Sequence, residues 1–231
     1  RCLEAGAGVG NAPAGLLATG ADRVYAVTND RDHARTTRRR IGGDSDDNGG
    51  DSDDNGGDRL AVLEADLRSI PLPDGSVDVI TAHGLCNVLY PATLSAVAEE
   101  LSRVAAPGAG LVVDDYDPLP DDAAIGELFA VENAASELAR GRPALTFYPA
   151  AFLRRFFAGH GWEFQRERTL LEPVPWTESH VTAHADRAAS MAAERPGEPG
   201  DTLAATVHRL ASEVGSESVG RMYSLAFRLP D

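Results

Sequence analysis

Residues 3–10 read Leu3-Glu4-Ala5-Gly6-Ala7-Gly8-Val9-Gly10: an apolar run, an acid, then glycine at every second position. This spacing predicts a strand entering at Leu3, a turn of residues without Cβ, and a helix starting near Asn11. Such a turn lets backbone N–H groups approach a ligand closely. It is the kind of strand-to-helix passage that cradles a nucleotide at the edge of an α/β sheet.

The spacing also narrows the choice of nucleotide. The dinucleotide fingerprint wants Gly-x-Gly-x-x-Gly or Ala. Read from Gly6 it reaches Gly8 and then Asn11; read from Gly8 it reaches Gly10 and then Pro13. It fails in both registers, which weighs against an NAD(P)-dependent oxidoreductase.

The following elements alternate as such a sheet requires. Residues 12–19 predict a short helix closed by Gly20, and residues 23–27 a strand of β-forming side chains. Residues 32–40 predict a helix whose Arg38, Arg39 and Arg40 suit the negative end of its dipole. A third strand over 60–64 is apolar enough to be buried in a parallel sheet. After it come Asp66-Leu67 and the segment Ile70-Pro71-Leu72-Pro73-Asp74-Gly75-Ser76-Val77-Asp78, leading into a fourth strand that ends at Ala82-His83. Residues 91–105 predict an amphipathic helix with Leu94, Val97, Ala98, Leu101 and Val104 on one face, and Pro107-Gly108 then turns into a strand over 111–113.

Taken together, these motifs resemble the class I S-adenosylmethionine-dependent methyltransferases, and in particular their type 11-like domain. Glu4-x-Gly6-x-Gly8-x-Gly10 is similar to the family's motif I. The Asp66 to Asp78 segment is similar to its acid after the third strand followed by a Leu-Pro run and a second acid, and Arg103 to Gly108 to its Arg-to-Pro-Gly turn. The resemblance runs from motif I to Val113, about half the chain. It implies a Rossmann-like seven-stranded α/β sandwich of order 3-2-1-4-5-7-6, the last strand antiparallel, with S-adenosylmethionine as cofactor.

Carried onto this sequence, the resemblance gives Glu4, Gly6, Ala7, Gly8 and Gly10 the methionine and ribose end of the cofactor. Asp66 and Leu67 flank adenine, and Ala82 and His83 stand at the methionine moiety. One position departs from the pattern. The acid that ends the second strand and binds the ribose is replaced by Thr28, so that role falls to Asn29 or Asp30. An acceptor O–H or N–H⁺ must lose its proton, and His83 or Asp115 is the expected base. For His83 a packing or cofactor-placing role, for Asp115 a place in a solvated acidic turn, and for Asp78 a part in placing the strand stay open beside these.

Beyond Val113 the pattern predicts helices over 121–140 and 149–158, a strand over 162–165, helices over 178–194 and 201–213, and a strand over 222–228. A single domain over 1–231 is expected, with residues 178–215 as a helical insertion before the last strand. His180 and His184 are one turn apart, but the residues between them lack the Glu of H-E-x-x-H. A solvated helix face is expected there, and no metal. Residues 42–58 repeat Gly-Gly-Asp-Ser-Asp-Asp-Asn and are expected to be a disordered acidic insertion. Asp44 and Asp51 each open half of a calcium loop, but the bidentate Glu of such a loop is absent.

Composition limits the partners. A net charge of −15, from 21 basic and 36 acidic residues, excludes wrapping a phosphate backbone. The expected partner is a small-molecule acceptor, with no nucleic acid and no membrane, since no apolar run approaches the ~20 residues of a span. Every basic residue is Arg. This acidic, Lys-free composition resembles that of salt-in halophiles, the alternative being a high-GC genome. Two cysteines, Cys2 and Cys86, imply no disulfide framework, and a cytoplasmic protein is expected. The chain starts inside its first strand without Met, so an N-terminal segment is expected upstream. The rival functions are a relic that binds adenosylmethionine weakly or not at all, suggested by Thr28, and the oxidoreductase opposed above.

Overall fold

The computed structural model describes residues 1–8, 10–42 and 59–231. The acidic repeat therefore lies outside the described residues except at its first position. Strands β1 (Cys2–Ala5), β2 (Val24–Thr28), β3 (Leu60–Glu64), β4 (Val77–His83) and β5 (Ala105–Tyr116) are parallel. On the far side of β5, β9 (Met222–Arg228) runs antiparallel to both β5 and β6 (Glu163–Leu171). The order β3-β2-β1-β4-β5-β9-β6 is the 3-2-1-4-5-7-6 arrangement expected from the sequence. Only the count differs, because two short strands, β7 (Pro175–Trp176) and β8 (Glu217–Ser218), form a separate ribbon before the last strand.

Burial explains the order. Leu3, Ile80, Leu111 and Leu225, from four adjacent strands, are fully buried, as a sheet covered on both faces requires. Helices α1 (Asn11–Ala18), α2 (Arg31–Gly42), α3 (Leu94–Val104) and α5 (Ala150–Gly159) accompany this sheet. The stripe of α3 is the expected one: Leu94, Val97, Ala98, Leu101 and Val104 are buried. At the outer edge β6 has every residue exposed, and its Glu163, Arg166, Glu167 and Arg168 protect an edge that could otherwise pair with another chain. Strand β5 is much longer than the expected 111–113. Asp114, Asp115 and Tyr116 continue it because each pairs with β9, opposite Ser224, Tyr223 and Met222.

The helices expected as an insertion build a second core. Helices α6 (Glu178–Ala193) and α7 (Glu198–Val214) pack with α4 (Ala124–Arg140). Ile125 and Leu128 of α4, Val181 and Ala185 of α6, and Val207 and Leu210 of α7 are buried together there. Helix α6 is started by Thr177, whose backbone N–H donates to His180 Nδ1 at 3.4 Å in a reciprocal cap. The indole N–H of Trp176 donates to the Val219 carbonyl at 3.2 Å, which fixes the ring beside the helix start.

Candidate active site

The β1–α1 turn differs from its sequence reading in one respect. Its amides do not all stand free for a ligand: Gly6 N–H and Ala7 N–H both donate to the Val27 carbonyl of β2, at 3.0 and 2.9 Å, and Gly10 N–H donates to Ala7 O at 2.9 Å. The glycines instead give a left-handed backbone and a surface without side chains. Gly6 has φ 78°, and a Cβ there would stand 2.8 Å from Leu85 Cδ1. Gly10 has φ 91°, and its Cβ would meet Thr37 at 3.2 Å.

Above this surface lies a cleft of about 490 Å³ along the carboxyl ends of β1 to β4. Gly6 and Gly8 come from the first turn, Asn29 and Asp30 from the end of β2, Asp66 and Leu67 from the end of β3, and His83 from β4. Of the eleven expected cofactor residues, these seven line the cleft. The other four lie beneath it: Glu4, Ala7 and Ala82 are buried in the core, and Gly10 is buried at the start of α1.

Glu4 is 1% exposed. Its carboxyl accepts hydrogen bonds from the Thr81 hydroxyl and the backbone N–H of His83, yet burial outweighs both and pushes its pKa up to about 7. The His83 imidazole has Nδ1 3.2 Å from Asp114 Oδ2. That carboxylate holds His83 toward its protonated form.

The two remaining acids of the cleft are already engaged. Asp30 Oδ1 accepts the backbone N–H groups of Asp32 and His33, at 2.8 and 2.9 Å, which makes it the cap of α2. Asp66 accepts Arg68 in a fork, Nη2 to Oδ2 at 2.6 Å, and this contact lowers its pKa to about 2. Thr28, in the place of the ribose acid, is buried and accepts the Asp30 N–H on its hydroxyl at 3.2 Å. Asp78 is exposed at the opposite end of β4, where the guanidinium of Arg1 donates to it at 3.4 Å, so it stands apart from the cleft.

Asp115 does not reach the cleft. It is fully buried; Oδ1 accepts Asn87 Nδ2 and Tyr116 N–H, both at 2.8 Å, and Oδ2 accepts Asn87 N–H at 3.1 Å. It anchors the short helical turn Cys86–Val88 after β4 and offers no oxygen to a ligand.

A second cleft, of about 380 Å³, shares Gly84 and Val88 with the first. Its walls are Tyr116 of β5, Phe147, Trp176 of β7, and His180, His184 and Arg187 of α6. His184 is not on a solvated face, as the sequence led us to expect. Its ring packs edge-on against Phe129, with centroids 4.7 Å apart, and its Nδ1 lies 2.7 Å from Glu132 Oε2 of α4. The two histidines one turn apart have different partners, His180 the cap and His184 the carboxylate. The aromatic wall lay in stretches where no periodicity marks a site, and only the helical spacing of the two histidines hinted at it.

Residues 3–113 match the model of a family described as a methyltransferase domain. Over that stretch the chain carries a methyltransferase domain. No curated protein matches the chain by sequence. Among solved structures, the YcgJ protein of Bacillus subtilis superposes over 100% of this chain and 92% of its own, with a TM-score of 0.63 at 14% identity. SpnF, a (4+2)-cyclase, covers 100% and 74%, with 0.62 at 19%. Geranyl diphosphate C-methyltransferase from Streptomyces coelicolor, in complex with geranyl diphosphate and S-adenosyl-L-homocysteine, covers 98% and 70%, with 0.59 at 13%. At these identities the likeness shows the fold, and a cyclase on that fold shows that fold alone does not decide the reaction.

The first cleft lies wholly within the methyltransferase domain except for Arg142. Its side-chain-free floor at Gly6, its acids at two successive strand ends and its volume suit a nucleoside with an amino-acid tail. The walls of the second cleft, apart from Gly84, Asn87 and Val88, come from beyond residue 113 and so from outside the domain match.

Proposed function

We propose that the protein transfers a methyl group from S-adenosylmethionine in the first cleft to a small-molecule acceptor in the second. The observation that carries this reading is the shared wall at Gly84 and Val88, which brings the two clefts together at the carboxyl edge of β4. When bound, the cofactor supplies a methyl carbon made electrophilic by a sulfonium. The task of the chain is then to hold the acceptor in line and to exclude water, and orientation of this kind supplies much of a rate enhancement.

Asn29 and Asp30 stand where a ribose would lie, Asp66 and Leu67 where adenine would lie, and His83 with Gly6 and Gly8 at the methionine end. Asp30 keeps Oδ2 for the ribose while Oδ1 caps α2. The second cleft is predominantly aromatic and aliphatic, which favours an acceptor with an apolar body. Its small volume and the net charge of −15 both disfavour a nucleic acid partner. Among the described residues no helix is long and apolar enough to cross a membrane. With both cysteines free, we place the protein in the cytoplasm.

Thr28 supports a second reading, a protein that binds the cofactor weakly or does not turn it over. Calorimetry with S-adenosylhomocysteine, NAD and NADP separates the readings. Saturable binding of S-adenosylhomocysteine alone is expected. Binding of NAD or NADP in its place overturns the proposal, and binding of none of the three favours the relic.

A further inference from the structure

Glu132 sets an electrostatic problem that the fold does not need. It is fully buried on α4, at a position surrounded by apolar side chains of the second core. A carboxylate there is costly unless it is paired, and an apolar residue in its place is often no less stable. One oxygen, Oε2, is bonded to His184 Nδ1 at 2.7 Å. The other, Oε1, has no hydrogen-bond partner among the described residues and lies 3.7 Å from Arg187 Nη1.

The pairing fixes the imidazole. A carboxylate only accepts, so Nδ1 carries the proton of this bond and Nε2 is the ring nitrogen left for a ligand. The His184 side chain is 18% exposed and lines the second cleft, clamped between Phe129 and Trp176, whose ring centroids lie 4.7 and 6.3 Å away. The cleft thus contains an imidazole oriented by a buried carboxyl group, which is the arrangement of a general base.

The same walls select the substrate. Tyr116, Phe147 and Trp176 offer ring faces and edges to a flat apolar body. The charged or basic side chains lining the cleft are His180, His184 and Arg187, and no carboxylate lines it among the described residues. A cationic amine would meet repulsion there, whereas a neutral or anionic molecule would not. The other histidine, His83, lines the cofactor cleft and not the second cleft, so it does not face the acceptor from the second cleft's walls.

We propose that His184 removes the proton from an aromatic hydroxyl bound in the second cleft, with Glu132 as its positioning residue. This inference rests on the methyl-transfer reading above. As the acceptor oxygen bonds to the methyl carbon, its proton passes to Nε2. The electron pair of the broken carbon–sulfur bond stays on sulfur, leaving a neutral thioether. The imidazolium is stabilised by Glu132 and returns its proton to solvent.

The test measures labelled methyl transfer from S-adenosylmethionine to 4-hydroxybenzoate and to 4-nitrophenol, whose hydroxyl is far more acidic and needs little help to ionise. His184→Gln should lower kcat/KM about 100-fold for the first and less than about tenfold for the second. Glu132→Gln should lower kcat with KM nearly unchanged. Both variants should bind S-adenosylhomocysteine as the wild type does, and melting curves confirm that they are folded. Nitrogen-15 spectra of the wild type should show His184 as the Nδ1–H tautomer, with that preference lost in Glu132→Gln.

An equal loss on both phenols would reduce His184 to a packing role, and an Nε2–H tautomer in the wild type would overturn the dyad without any turnover data. A wild type that binds S-adenosylhomocysteine but methylates neither phenol overturns the substrate class. A wild type that binds no S-adenosylhomocysteine refutes the underlying function, while the imidazole spectrum still decides the state of the dyad.

Discussion

The hydroxyl of Thr81 on β4 donates to the buried carboxyl of Glu4 on β1, directly beneath the glycine turn. This bond, the His83 N–H and the His83 charge all favour the ionised acid, but burial dominates and places its pKa at about 7 against an ordinary 4.5. The folded protein therefore keeps a proton on Glu4 at pH values where the unfolded chain has lost it. Stability from this group is highest below about pH 4.5, falls as the pH rises toward 7, and is then constant. The difference corresponds to about 3 kcal/mol. Thermal melts should show Glu4→Gln matching the wild type near pH 5 and exceeding it by several degrees near pH 8. Parallel curves at the two pH values would refute the buried-acid account.

Asp30 and Asp66 should separate by what each does besides meeting a ligand. Asp30→Ala removes the cap of α2 and should cost about 1 kcal/mol of stability as well as affinity for S-adenosylhomocysteine, whereas Asp30→Ser should recover the stability but not the affinity. Asp66 and Arg68 form an exposed pair, and such pairs contribute little. Asp66→Ala should therefore leave the melting temperature nearly unchanged while weakening S-adenosylhomocysteine roughly tenfold, the cost of one charge-assisted hydrogen bond. Calorimetry and melting curves on the same four proteins decide both points.

These contrasts show how far the sequence could be read. The sheet order was legible through the family resemblance, which rests on three motifs: Leu3 to Gly10 with its glycines, Asp66 to Asp78 with its Leu-Pro run, Arg103 to Gly108 with its turn. The positions lining the first cleft were legible for the same reason, since strand ends in a parallel sheet fall on one edge. What each acid does there was not. Whether Asp30 caps a helix, Asp66 grips Arg68 or Asp115 ties down Asn87 depends on neighbours that spacing along the chain does not reveal. The second cleft was hidden more thoroughly. Tyr116, Glu132, Phe147, Trp176 and His184 come from five separate elements or connections and meet only when α4 and α6 pack.

The aromatic wall gives a further prediction. Trp176 is 6% exposed, packs at 5.3 Å from Tyr116 and 5.2 Å from Phe129 between ring centroids, and lines the second cleft. Trp176→Ala removes this wall and opens a cavity, and should lower stability by about 3–5 kcal/mol. Trp176→Phe keeps most of the packing but loses the bond to Val219, and should cost about 1–2 kcal/mol. With acceptor turnover as the readout, Trp176→Phe should raise KM for the acceptor and leave the affinity for S-adenosylhomocysteine unaltered. Equal losses in both would place Trp176 in the support of the whole fold instead.

Salt should act on the surface in two stages. A net charge of −15 repels itself, and simple screening of that repulsion is nearly complete by about 0.2 M, where the Debye length has fallen below ~8 Å. Adaptation to a saline cytoplasm requires more, because hydrated carboxylates on a Lys-free surface continue to gain from potassium well beyond that point. Melting temperature measured in KCl should therefore rise from 0.2 M to 2 M by roughly 4–8 °C, the equivalent of about 2 kcal/mol for a chain of this size. A curve that levels off at the screening limit would leave only charge repulsion at work, and would favour genomic base composition as the source of the Arg-only, Asp-rich sequence.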